Sequence, residues 1–302
     1  MTQAAEARGR VFDLGFRRYE GPREGRRRAM LSVYKDGLRA AMGFGRGTRA
    51  KILPWLFIGA SLVPALVLAL IAGAVDRLAP DFDAQGDLPS HSDYYAIASV
   101  VLLVFAAVAG PELFCPDRRN RVISLYLVRP LRASDYVAAR WAALATVMTV
   151  VAWLPQVLLA AGLTLGAAKP ASYLAGHWLD VPRFLLAGLA IGVYVATLAT
   201  LVSFFTVRRA YAAAFLVGLF VVTAAVVGNV VEVVDSGVGR WIALLSIRDV
   251  PLFVNDLVFG GEPSAGADVA EKLPAGVQVG WYLLLVGLSA LVVRWRAGKL
   301  SV

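Results

Sequence analysis

Along most of this chain the apolar positions neither alternate nor recur every third or fourth residue. They gather into unbroken runs of about twenty residues with almost no charge. A helix rising 1.5 Å per residue needs about that length to cross a hydrocarbon layer of roughly 30 Å. Six runs qualify, at 52–75, 95–113, 137–166, 184–206, 211–231 and 277–293. The pattern predicts an all-α integral membrane protein with a six-span domain over 52–302, preceded by a segment at 1–51. The third run exceeds what a bilayer needs, so a tilt, a bend at Pro155 or an extension into water is expected. Pro54, Pro64 and Pro111 fall within or near the ends of spans, where neighbouring helices satisfy freed carbonyls.

One stretch reads differently. In "RRRAMLSVYKDGLRAAMGFGR", Leu31, Tyr34, Leu38 and Met42 recur at helical spacing, while Arg27, Lys35, Arg39 and Arg46 take much of the other face. This predicts an amphipathic helix on the inner leaflet, where each basic residue near anionic lipid is worth about 1 kcal/mol. A second ambiguous stretch is "GRWIALLSIRDVPLFVNDLVFGG", 239–261. As a seventh span it would bury Arg248 and Asp249 at about 2.5–3.5 kcal/mol per ion. It reads instead as two short half-helices broken at Pro251, at the outer interface, with Trp241, Leu244, Leu245, Phe253 and Phe259 on the apolar side.

The polar segments between the runs set the orientation. Residues 1–51 carry thirteen basic and five acidic residues, and the first loop, 76–93, has five aspartates and one arginine. The next loop, 114–136, is strongly basic; the third is nearly neutral, with Lys169 and Asp180; the fourth is short and holds Arg208 and Arg209. Residues 232–276 carry seven acids and three bases, and the tail is basic again. Basic segments stay cytoplasmic, so both termini are expected inside and 232–276 outside. The first fifty residues are basic and lack an apolar core of signal-peptide length, so no cleaved signal is expected.

Composition agrees. Of 302 residues 59% are hydrophobic and 17% charged, with a mean hydropathy of +0.67. The net charge of +9 collects beside the spans, as topology signals do, so nucleic acid is not expected as a partner. With Cys115 as the single cysteine, no internal disulfide forms. His91 and His177, in expected outside loops, read as surface histidines, and no metal or cofactor is expected on this chain. No G-x-x-x-x-G-K-[ST] phosphate loop occurs, so any ATP and Mg must be held by another chain. The spans are poor in ionisable groups, which counts against a secondary transporter. Glu112 stands at the end of the second span, where pairing with Arg118 or Arg119 would explain it as well as a mechanistic role. Thr146, Thr149, Gln156 and Asn229, with Thr197 and Thr200, either line a cavity or hydrogen-bond helix to helix.

The most informative stretch is "FCPDRRNRVISLYLVRPLRASDYVAARW", 114–141, with six arginines around an apolar block. Topology needs fewer charges, and "VISLYLV" needs a cover of lipid or protein. Pro130 stops the block and Ser134 is a plausible N-cap for the third span. A short amphipathic element flanked by arginines suits a groove in a cytosolic protein.

Here the sequence resembles the ABC-2 family of ATP-binding-cassette permeases. A carboxylate ends the second span, then "DRRNRVISLYLVRPLRASDYVAAR" is similar to that family's charged residues followed by "tL-x-L-L-x-x-P-L-s-r". Ser124, Leu125, Leu127, Pro130, Leu131 and Arg132 occupy those places, with Asp135 and Tyr136 following. The openings "DLGFRRYEGPREGR" and "GFGRGTRAKILP" are similar to those of bacterial, particularly actinobacterial-type, members. Arg140 stands where many members carry lysine, with no evident consequence.

The resemblance implies a permease subunit in a bacterial plasma membrane, paired with a second permease chain, identical or homologous, and coupled to two copies of a cytosolic ATPase. It implies that Arg118, Arg119, Ser124, Leu125, Leu127, Arg129, Pro130, Leu131 and Asp135 form the ATPase-coupling loop. Tyr19, Gly21, Pro22 and Arg23 would help seat the ATPase. Export of an amphipathic drug, antibiotic, lipid or peptide is expected. A secondary transporter, a membrane enzyme and a substrate-free membrane anchor or signalling scaffold are the competing classes. The first lacks midplane charges and the second any catalytic cluster; the scaffold would recruit the same partner but respond to no transported compound.

Overall fold

Inside hydrocarbon every backbone N–H and C=O must be paired within its own segment, so runs of this length become long uninterrupted helices. A computed structural model of the chain shows this outcome. It describes residues 21, 25–45, 47–78, 91–127, 131–167, 169–234, 237–260 and 273–299, and among them every regular element is helical. In chain order these are α1 (Gly25–Ala41), α2 (Thr48–Leu78), α3 (His91–Arg119), α4 (Ile123–Leu127), α5 (Ala133–Gly166), α6 (Pro170–His177), α7 (Asp180–Phe205), α8 (Arg209–Val233), α9 (Gly237–Ala243), α10 (Val250–Phe259) and α11 (Ala275–Gly298). Six of them, α2, α3, α5, α7, α8 and α11, are long and apolar enough to cross a membrane.

Prolines do not interrupt these helices. Pro54 and Pro64 lie within α2, Pro111 and Pro116 within α3, and Pro155 within α5. Helix α5 has 34 residues, about 51 Å at ~1.5 Å per residue, and its excess length projects the first turns beyond the apolar stretch. That helix begins at Ala133, and the Asp135 carboxylate accepts the Arg132 backbone N–H at 3.0 Å. Ser134, expected as the N-cap, is therefore already inside the first turn, because the acid one residue later satisfies the free donor.

The core is built by α3, α5 and α7, whose Tyr95, Phe105, Tyr136, Leu144, Met148, Ile191 and Tyr194 are fully buried. Small residues bring these backbones together. A Cβ on Gly192 of α7 would lie 2.5 Å from Thr149 Oγ1 and 2.7 Å from its backbone nitrogen on α5. Helix α2 meets α5 in the same way, since a Cβ on Gly162 would lie 2.3 Å from that of Ala69. Lipid tails are as apolar as leucine, so close approach of this kind, not exclusion from water, holds the pairs.

Helix α1 lies across the first turns of α5. Val33, Gly37 and Ala41 are buried there, and Tyr34 shares a 3.0 Å hydrogen bond with Thr146. Tyr34, Leu38 and Met42 pack on the bundle while Leu31 stays exposed, so the buried stripe is rotated away from the one expected. At the opposite end, the ambiguous stretch folds as the two short helices α9 and α10. Pro251 is not the break: it occupies the first turn of α10, where its missing N–H costs nothing. The break falls between Ala243 and Val250. Leu244 and Phe253 are buried in protein, whereas Trp241 and Leu245 are exposed, so the apolar face divides between bundle and surroundings. Tyr194 donates to Ile247 O at 2.9 Å and Trp281 Nε1 to Leu244 O at 2.7 Å, tying the break to α7 and α11.

Candidate functional site

The arginine-rich stretch begins where α3 stops. Val122 N–H bonds Asp117 O at 2.9 Å across a turn in which Arg121 takes φ 53°. This is a Schellman-type ending with an arginine at the left-handed position that glycine usually fills. It turns the chain into α4, five residues long. Ile123 is buried, Tyr126 packs against Tyr136 with ring centroids 5.4 Å apart, and Leu131 is buried beyond the helix. Leu125, by contrast, is 67% exposed. Burial, reinforced by Asp117, holds the Tyr126 hydroxyl above its ordinary pKa, so it stays neutral. The fold therefore braces α4 from one side and presents Leu125 on the other. Ser124 and Leu127 belong to α4, but their side chains, with Arg129 and Pro130, lie outside the described residues, as do Tyr19, Pro22 and Arg23. Gly21 forms a half-buried bend.

Around α4 the charges are paired, not scattered. Arg26 of α1 grips Asp135 of α5 through two bonds, Nε–Oδ2 and Nη2–Oδ1, both 2.7 Å. Donating to the Asp135 carboxylate raises the Arg26 guanidinium above its usual pKa. One turn on, Arg140 is 97% buried, and its Nη2 reaches Asp117 of α3 at 2.9 Å and Asp36 of α1 at 2.8 Å. Tyr136 donates to the same Asp117 oxygen at 2.6 Å, and its ring lies 5.7 Å from the Arg140 guanidinium carbon. Arg140 thus ties α1, α3 and α5 together directly beneath α4. Sequence reasoning gave this residue no weight. The signal was present, because an ionisable side chain inside an apolar run marks a functional position by default.

Glu112 is engaged elsewhere than expected. Its partner is Arg209 at the start of α8, at 2.5 Å, and not Arg118 or Arg119. Arg118 instead donates to the carbonyls of Phe204 and Thr206 at the end of α7, where the helix dipole favours a cation. Arg119 is exposed. Glu112 and Arg118 thereby fasten α3 to α8 and α7.

Among the described residues, two cavities open within the bundle. One of about 380 Å³ lies between α3 and α8, with Leu103, Val104, Phe220 and Val221 in its wall and Arg248 as its single charge. Another of about 340 Å³ lies among α5, α7 and α11. Both reach the size of ligand sites. Neither is lined by Thr146, Thr149, Gln156 or Asn229. Thr146 bonds Tyr34, and Thr149 sits buried at the α5–α7 crossing. Asn229 donates to Ala225 O at 2.7 Å. Gln156 Oε1 lies 2.6 Å from His91 Nδ1, and its amide donates to His91 O at 2.9 Å. His91 is accordingly no loop histidine: it opens α3, half buried, with its ring 5.7 Å from that of Phe184. His177 is exposed and stacked on Tyr173. Among the described residues no three metal-ligating side chains cluster.

Six helices long and apolar enough to span a membrane, with a short helix braced over a buried charge hub at one end, define a multi-pass membrane protein. The family model of the ABC-2 family transporter proteins matches residues 78–237, and the chain belongs to that family. The match runs from the end of α2 through α8 and includes α4 and both arms of the Arg140 hub on α3 and α5. No curated protein matches the chain. As an ABC permease it is the membrane component of its transporter and not the ATPase.

Proposed function

We propose that the chain is one of two permease subunits of an ATP-driven exporter in a bacterial plasma membrane, with both termini and the α4 end in the cytoplasm. The alternation of basic and acidic segments supports that orientation. The observation that carries the reading is Leu125, an exposed leucine on a short helix whose opposite side is anchored, at the charged end of a membrane protein of this family. One exposed leucine demands no cover by itself, but on a braced helix at the charged end it is a ready contact for a partner. We assign that contact to a cytosolic ATPase, two copies per assembly, which holds ATP and Mg.

On this reading α4 passes the movement of the ATPase to the bundle. One rigid route runs through the Tyr126–Tyr136 contact to the Arg140 hub, and from there to α1, α3 and α5. The Arg26–Asp135 pair holds the start of α1 beside the same end, and we assign Tyr19, Gly21, Pro22 and Arg23, which precede it in sequence, to seating the ATPase. A second permease, identical or related, would cover part of the exposed apolar faces of α2, α8 and α11, and lipid the rest. The α3–α8 groove, apolar with one cation, suits an amphipathic cargo.

Leu125→Glu tests the reading. Because the side chain is exposed, membrane insertion and the melting transition of the purified chain should match wild type. ATPase activity of the reconstituted complex should fall to that of the free ATPase. Full stimulated activity in this variant would sink the docking assignment.

A further inference from the structure

The cavity among α5, α7 and α11 has an unequal distribution of polarity. Helices α7 and α11 both run toward the α4 end, so their later residues lie nearer that end. Val193 and Val286 mark the deep part of the wall; Thr200 and Arg294, seven and eight residues on, mark the outer part. At ~1.5 Å per residue the cavity is about 10–12 Å long. It has an apolar floor and a polar mouth, and a volume of about 340 Å³.

Its polar groups are not all spent. Trp141 Nε1 donates to Thr197 Oγ1 at 3.0 Å, and Thr197 donates in turn to Val193 O at 2.7 Å, so that hydroxyl is satisfied. Thr200 is 98% buried, lines the cavity, and its hydroxyl has no hydrogen-bond partner. Arg294 is exposed at the mouth and has no acidic partner among the described residues. A buried hydroxyl needing an acceptor and a cation needing a counter-charge ask for the same thing, an anionic oxygen, at the polar end of an apolar slot.

We infer that this cavity binds an amphiphile with an anionic head and an acyl tail. The tail lies along α7 and α11, and the head meets Thr200 and Arg294. An acyl chain gains little by leaving lipid for a protein wall, so selectivity rests on the head group. This site is separate from the α3–α8 groove and holds whether or not the chain is an exporter. Its ligand is either an anionic lipid of the surrounding leaflet or a single-chain anionic amphiphile.

The test uses the full chain in phosphatidylcholine nanodiscs. These contain a small fraction of phosphatidylglycerol bearing a diazirine in one acyl chain, and labelled peptides are mapped by mass spectrometry after irradiation. Label should concentrate on 193–200 and 286–294, while the same tail on a phosphatidylcholine head should label the lipid-facing helices evenly. Arg294→Gln should lower the specific label roughly tenfold, as loss of a charge-assisted bond does. Thr200→Val should lower it about threefold. A Cβ on Gly287, in the cavity wall, meets no atom within 4 Å, so Gly287→Phe should fold and abolish the label. If that variant misfolds, the other two decide. Competition by dodecyl phosphate but not dodecyl maltoside assigns a single-chain ligand; competition by phosphatidylglycerol alone assigns a bilayer lipid. Equal labelling by both head groups, or labelling unchanged in Arg294→Gln and Thr200→Val, overturns the site.

Discussion

Helices α3 and α8 are comparably apolar, yet 67% of the most apolar window of α3 is buried within the bundle against 17% of that of α8. The same division separates α5 and α7, each 61% buried, from α2 at 28% and α11 at 22%. Hydrophobicity does not sort them, since any of the six is at ease against lipid. The inner three approach one another on more than one side through small residues, whereas α2 does so on α5, through Ala69 and Gly73. Gly110 faces Ala199, Gly188 faces Trp153, and Gly192 faces Thr149. Hydrogen bonds such as Tyr95 OH to Phe184 O, at 2.7 Å, then fix the register. On α8, Gly218 and Gly228 meet nothing within 4 Å. In a bilayer, small and polar residues in register decide which helices approach closely enough to form the interior.

The sharpest way to break that contrast is to place one side chain on each side of it. Gly192→Leu would drive a side chain into the backbone of Thr149 and separate α5 from α7, costing about 3 kcal/mol or more. Size-exclusion chromatography and thermal unfolding in detergent should show loss of the folded species. Gly218→Leu on α8 should leave both unchanged within error, and it improves helix propensity by about 0.8 kcal/mol or less. Equal damage from the two would mean that α8 is as tightly packed as the core, contrary to its open face.

A smaller effect should come from Arg140, which binds α1 to the inner three. Arg140→Met leaves Asp117, largely buried, without its cation, at a cost of about 3 kcal/mol or less. Asp36, mostly exposed, contributes little to that figure. Hydrogen exchange should rise in α1 and at the end of α3 while α7 stays protected. Adding Asp117→Asn to Arg140→Met should recover part of the loss, because the stranded charge is gone. Uniform exchange across the bundle would show Arg140 to be a general core residue and not a local tie.

The layout was legible in the sequence because it depends on run length and charge placement. Six spans and the split of 239–261 into two short helices follow from local pattern, whereas the N-terminal helix buries Val33, Gly37 and Ala41 and leaves Leu31 exposed. The partners were not legible. Arg26 and Asp135 are 109 residues apart, and His91 and Gln156 are 65 apart. Such pairs are chosen by how helices cross, which no local period records. Two local errors have local causes. Pro251 was read as a breaker although proline is tolerated in a first turn, and Ser134 as a cap although Asp135 does that work through the Arg132 N–H. The cavity residues show the limit most plainly. Thr197 and Thr200 are a turn apart with the same chemistry, yet one is satisfied and the other is not.

The smallest expected effect lies where the inner set hands over to α4. Arg121 holds φ 53° in the turn that closes α3, a conformation that costs a side chain-bearing residue about 1 kcal/mol relative to glycine. Its side chain is exposed, so Arg121→Gly should relieve that cost without opening the core, and stability should rise by up to ~1 kcal/mol. The gain is reduced because glycine also frees the unfolded chain. If stability rises while stimulated ATPase activity holds, the strained turn is incidental. If stability rises and coupling falls, the left-handed arginine belongs to the mechanism, holding α4 at the angle that presents Leu125. A fall in stability would show that the bonds made by the Arg121 side chain outweigh the strain of its backbone.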